Sequence, residues 1–153
     1  MHRIASGLEL KPAQQSDFAM ALDLYVATME PYAAELMTWD DAKQRESFAS
    51  QWTTEASEVI VFEGQAIGWF EAQITKTGVL LQQFFIAPDH QGKGIGTHVL
   101  EHLLARWSKM GVPIFLTVLK NNPARRLYER LGFVVVGEVG VKFQMKRSAA
   151  DLC

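Results

Sequence analysis

The chain has 153 residues, 48% hydrophobic and 21% charged, with 15 Lys and Arg against 17 acidic residues and a pI near 6.1. That length suits one domain with a sizeable core, and the slight negative charge lacks the basic footprint expected for nucleic acid or an acidic membrane surface. Cys153 is the single cysteine, so internal disulfides and Cys-rich zinc sites are excluded.

No apolar run approaches the roughly 20 residues of a membrane span, and residues 1–7 lack the apolar core of a signal peptide. A cytoplasmic protein is expected, with residues 1–7 and 148–153 as tails of a single domain spanning 1–153. In chain order, Leu8–Lys11 alternates weakly and stops at Pro12, which reads as a short strand. Ser16 and Asp17 offer N-cap chemistry to a helix through Phe18, Ala21, Leu22 and Tyr25, expected to end near Glu30-Pro31. A second helix is expected from Asp40 or Asp41 to about Trp52, with no assignment between.

From residue 58 the period changes. Glu58–Phe62 and Ala66–Ile74 read as strands around a Glu63-Gly64 turn. Val79–Ala87 reads as a central strand buried on both faces. A helical apolar stripe follows over Gly96–Met110 and stops at Gly111, then a strand over Ile114–Leu119. Pro123 opens a helix ending at Leu131-Gly132, and Phe133–Val136 with Val141–Met145 reads as a closing hairpin. This order predicts a mixed α/β sheet instead of a strictly alternating one.

The most informative stretch joins the central strand to the long helix: Gln91-Gly92-Lys93-Gly94-Ile95-Gly96-Thr97. A helix N-terminus exposes unpaired N–H groups and a partial positive charge, and so attracts phosphate. Alternate glycines let the backbone approach a pyrophosphate without interference from Cβ atoms, and Lys93 adds a formal charge. Such glycines also serve as plain turn makers. Neither the P-loop spacing nor Gly-x-Gly-x-x-Gly is present.

These residues resemble the GNAT superfamily of N-acetyltransferases, whose signature is Arg/Gln-x-x-Gly-x-Gly/Ala. Gln91–Gly96 matches it after Ile86-Ala87-Pro88, and a second block agrees downstream at Asn122-Pro123-Ala124-Arg125-Arg126-Leu127-Tyr128 through Phe133. The resemblance covers residues 58–147 well and the first 57 by element order alone. It implies an α+β fold with a mostly antiparallel sheet of about six or seven strands, splayed at its centre and flanked by about four helices. It implies acetyl-CoA as cosubstrate, with no metal. Phe84, Phe85 and Ile86 would pair with the pantetheine arm, and the amides from Gly92 to Thr97, Ile95 included, would hold the pyrophosphate. Either Asn121 or Asn122 would lie near the cofactor.

Acyl transfer from a thioester to an amine needs a proton donor for the sulfur and a proton sink for the amine. A free thiol titrates near 8.5 and a tyrosine near 10, so a phenol remains protonated at neutral pH and can donate. Tyr128 matches the family's general-acid position. Its alternative is a ring packed on the sheet. The strand amide at Ile86 or nearby would polarise the thioester carbonyl. Gln82, Gln83 and Thr117 stand where some relatives place a base. Glu71 is therefore the first candidate, with His90 and Glu138 behind it, each read more readily as a solvated or hydrogen-bonded surface residue than as the base; a water relay is the other route.

The acceptor site would lie within residues 25–55, where Tyr32, Trp39, Phe48 and Trp52 read as lining or as core. Glu30, Glu35, Asp40 and Asp41 read as an attraction for a cationic amine or as a solvated face. The expected function is acetyl transfer to a small-molecule primary amine. The alternatives are a protein or peptide acceptor, or an acyl-CoA sensor without turnover. A homodimer through the C-terminal strands follows from the resemblance alone.

Overall fold

The computed structural model describes residues 2–149. Their strands and helices run in the order β1 (His2–Ala5), β2 (Leu8–Pro12), α1 (Phe18–Leu36), α2 (Asp41–Gln51), β3 (Ser57–Phe62), β4 (Gln65–Ile74), β5 (Val79–Ile86), α3 (Ile95–Ser108), β6 (Ile114–Leu119), α4 (Ala124–Arg130), β7 (Val134–Val139) and β8 (Lys142–Arg147). The sheet has eight strands in the order β1-β2-β3-β4-β5-β6-β8-β7. The strand count exceeds the expected six or seven because residues 2–5, read as a tail, pair antiparallel with β2 across a turn at Gly7. The proposed tail at 150–153 lies outside the described residues.

The fold forms two compact units. The first holds the chain up to Glu71 together with Gln83–Lys93. Here β1, β2, β3 and β4 pair antiparallel, with a bulge between Ile60 and Val61. Asp17 occupies the N-cap position of α1, but its side chain makes no capping bond to that helix. It sits in a preceding 3-10 turn, where its carboxylate accepts from the Gln14 N–H at 2.8 Å. Helix α1 also continues past Pro31 to Leu36. Proline removes one helical donor at a cost of about 3 kcal/mol, but the following Tyr-Ala-Ala-Glu-Leu favours helix and buries Ala33. Asp40 caps α2, accepting from the Lys43 N–H at 3.1 Å.

The core of this unit is aromatic. Trp69 on β4 is fully buried, packs against Phe48, Trp52 and Phe85, and donates its indole N–H to the Ala21 carbonyl at 3.1 Å. Trp69→Ala should therefore destabilise the protein by about 3–5 kcal/mol. Urea unfolding measures this, and a loss under about 1 kcal/mol would contradict so central a role.

The second unit holds Ala72–Gln82 and the chain from Gly94 onward. The stripe on α3 buries Val99, Leu100, Leu103, Leu104 and Trp107, as its spacing predicts, with Ile95 added. Strands β5 and β6 pair in parallel at Val79↔Ile114, Leu80↔Phe115 and Leu81↔Leu116, and the ladder stops there although each strand runs on. Strand β5 is not buried on both faces. Val79 and Leu81 are buried while Leu80 and Gln82 are exposed, the alternation of a sheet covered on one side. Helix α4 ends as expected, with Gly132 at φ 96° and the Phe133 N–H returning to the Tyr128 carbonyl at 3.0 Å.

Candidate active site

The candidate residues divide between the two units. In the first, β5 delivers Phe84, Phe85 and Ile86 to the start of the glycine loop. Phe85 and Ile86 are buried, and the Phe85 ring stands edge-on to Tyr25 at 6.0 Å. Gln91 has a bracing role, since its side-chain Nε2 donates to the Ile86 carbonyl at 2.8 Å. Lys93 is exposed.

Gly92 and Gly94 take φ 74° and 80°, a left-handed conformation that favours glycine, and open space surrounds the positions their Cβ atoms would occupy. The amides of Gly92, Lys93, Gly94, Ile95, Gly96 and Thr97 donate no hydrogen bond among the described residues. The first turn of α3 closes with His98 N–H to the Gly94 carbonyl at 3.0 Å. Six consecutive donors at the positive end of a fourteen-residue helix, three of them on glycines, suit a pyrophosphate.

In the second unit, Asn122 is committed to its own turn. Its Oδ1 accepts from the Ala124 N–H at 2.9 Å, and its N–H donates to the Leu119 carbonyl at 3.0 Å. Asn121 precedes it, half-buried. Tyr128 is buried on α4, edge-on to Phe133 at 5.9 Å, and burial pushes its phenol up to about 12.

The three base candidates have different surroundings. Glu71 is 7% exposed, which overturns its reading as a surface residue. Two residues beyond Trp69 on β4, it projects from the face that carries the aromatic core beneath α1 and α2. Glu138 is exposed and pairs with Lys120 at 3.3 Å. His90 stands edge-on to Phe62 at 6.1 Å, with a buried Nδ1.

Among the aromatic residues considered for the acceptor side, Phe48 is buried in the core and Trp52 packs on Trp69. Trp39 lies at the edge of this cluster, 6.5 Å from Tyr25. Tyr25, the first residue of the region expected for the acceptor, joins this cluster. It touches Trp39, Phe48 and Phe85, and its phenol donates to Gln44 Oε1 at 3.1 Å. Its own sequence signal was a place in the apolar stripe of α1.

Residues 54–135, more than half the chain, match the family described as acetyltransferase (GNAT) domain. The chain belongs to the GNAT acetyltransferase family. It is 31% identical over 91 residues to a probable spermine N(1)-acetyltransferase of Bacillus subtilis subsp. natto (strain BEST195), a stretch covering 52% of this chain and 60% of that protein. The chain thus spans less than two thirds of that relative. Its fold is similar to that of PaiA N-acetyltransferase from Thermoplasma acidophilum in complex with coenzyme A, with a TM-score of 0.75 and 18% identity over 92% of this chain and 98% of that one. It is also similar to Arabidopsis thaliana Naa50 bound to the bisubstrate analogue CoA-Ac-MVNAL, with a TM-score of 0.65 and 18% identity over 93% and 99% of the two chains. These two likenesses establish the fold.

Proposed function

We propose that the protein transfers the acetyl group of acetyl-CoA to the primary amine of a small cationic molecule. The observation that carries this reading is the run of undonated amides from Gly92 to Thr97 in a family defined by acetyltransferases. Bound acetyl-CoA supplies the thioester: the amine nitrogen bonds to its carbonyl carbon, the carbon–sulfur bond breaks, and coenzyme A leaves as the thiol.

The chain's own residues then have distinct tasks. The loop amides and Lys93 hold the diphosphate, Asn121 takes the cofactor-facing place beside the committed Asn122, and the end of β5 carries the pantetheine arm. Tyr128 donates its phenolic proton to the departing sulfur. Glu71 takes the proton that the amine loses, and solvent returns Tyr128 and Glu71 to their starting states. A small cationic acceptor is supported by the charge of α1, α2 and their connecting loop, which carry six acidic residues against Lys43 and Arg45. The spermine-directed relative supports the same class.

Calorimetry with coenzyme A, followed by thiol-release assays across polyamines, aminoglycosides, amino acids and short peptides, tests this reading. Heat on binding and turnover with a polyamine or another small amine are expected. Absence of heat at generous ligand concentration overturns the reading, and turnover confined to peptides moves the acceptor to the protein class.

Glu71→Gln keeps the shape and removes the base. It should lower kcat by about 100-fold, the lower end of the range for general base catalysis. Retention of the full rate would return the role to a water relay.

A further inference from the structure

The peptide groups that follow Phe85 are each gripped by a different contact. A Cβ placed on Gly68 of β4 would collide with the carbonyl oxygen of Phe85, and would lie 3.2 Å from Ile86 Cδ1 and 3.3 Å from Ile60 Cδ1. Only hydrogen fits there, so the Phe85 carbonyl rests directly on the Gly68 backbone. The next carbonyl, on Ile86, accepts from Gln91 Nε2 at 2.8 Å. The following N–H, on Ala87, donates to the Ile67 carbonyl at 2.7 Å.

This grip has a directional consequence. Cis peptide bonds are absent among the described residues, and a trans peptide points its C=O and N–H in opposite directions. With the Phe85 carbonyl seated on β4, the N–H of the same peptide unit, on Ile86, is turned away from β4. It faces the other edge of β5, where the parallel ladder has already ended at Leu81.

We propose that Gly68 is a positioning residue for acyl transfer. By admitting the Phe85 carbonyl against β4, it aims the Ile86 N–H at the carbonyl oxygen of the bound thioester, while Gln91 holds the far side of the same residue. This rests on the acetyl-CoA reading above. A single preorganised donor at a developing oxyanion is worth about 100- to 1,000-fold in rate, and a donor turned out of line loses part of that. The cost of any side chain at position 68 would therefore appear in the chemistry of the carbonyl and not in the grip on the rest of the cofactor.

Acetyl-CoA labelled with carbon-13 at the acetyl carbonyl reports this directly through its infrared band. In the wild-type protein the band should move to lower wavenumber on binding. In Gly68→Ala that movement should fall by about half or more and kcat by about tenfold or more. Coenzyme A, which has no acetyl carbonyl, should still bind within about threefold of wild type, because its contacts do not include that donor. Should Gly68→Ala not fold, Gln91→Glu and Gln91→Arg carry the test. Glutamate presents only acceptors when ionised and should lose the band movement, whereas arginine can donate to Ile86 and should restore it. A wild-type-like band and rate in Gly68→Ala, or in Gln91→Glu where that variant is used, overturns the proposal. So does a wild-type band that stays put although coenzyme A binds. If coenzyme A gives no heat with the wild-type protein, the cofactor reading itself is what fails.

Discussion

Replacing Tyr128 by phenylalanine should lower kcat by about 100-fold, the lower end of what a positioned general acid contributes. Affinity for coenzyme A should stay within about threefold, because the ring keeps its packing against Phe133 and only the hydroxyl is lost. The pH dependence follows from burial. The phenol is pushed up to about 12, so its protonated, proton-donating form persists through neutral and mildly alkaline conditions and is lost only as pH rises through that value. The wild-type rate should therefore show no Tyr128 limb below about pH 11. The same shift affects stability. The unfolded phenol ionises near 10 and the folded one near 12, so the contribution is fully present below pH 10 and is lost as pH rises between the two. An alkaline limb near pH 10 that disappears in Tyr128→Phe would contradict the burial. Unchanged turnover in that variant would remove tyrosine from the chemistry and leave proton donation to solvent.

What the sequence made legible, and what it hid, follows the range of the interactions. The conformation of the glycine loop was readable because it is set locally: φ values of 74° and 80° at Gly92 and Gly94 are what glycine permits, and the helix behind them announces itself by its stripe. Helix α2 was readable through Asp40, whose side chain caps it within three residues. Pro31 misled because its local penalty is real, yet the residues beyond it favour helix and bury Ala33, which offsets the missing donor. Strand β1 was hidden because its pairing partner, β2, is what makes four polar-leaning residues a strand. The burial of Glu71 and the fit of Phe85 onto Gly68 are both long-range facts. A lone glycine inside a strand hints at close backbone approach, but only the fold reveals which carbonyl approaches. The uncertain parts of the site were thus those assembled across strands.

The largest loss of cofactor affinity should come from Gly94→Val. Gly94 caps α3 at φ 80°, and its N–H is one of the six that find no partner among the described residues. An L-residue in that conformation costs about 1–2 kcal/mol, and a β-branched one more. A Cβ at the position meets nothing within 4 Å, so the protein can escape the strain by rotating the loop backbone. That escape turns the amides of Gly94 and Ile95 away from their common target and puts two methyl groups where the diphosphate would approach. Loss of two charge-assisted hydrogen bonds at about 1.5–3 kcal/mol each predicts affinity for coenzyme A reduced by at least about 100-fold. Thermal unfolding should shift by only a few degrees, since the loop contributes no buried core. Calorimetry on the variant decides the matter. Near-normal affinity would mean that the diphosphate is held elsewhere, and that these glycines serve only to turn the chain from β5 into α3.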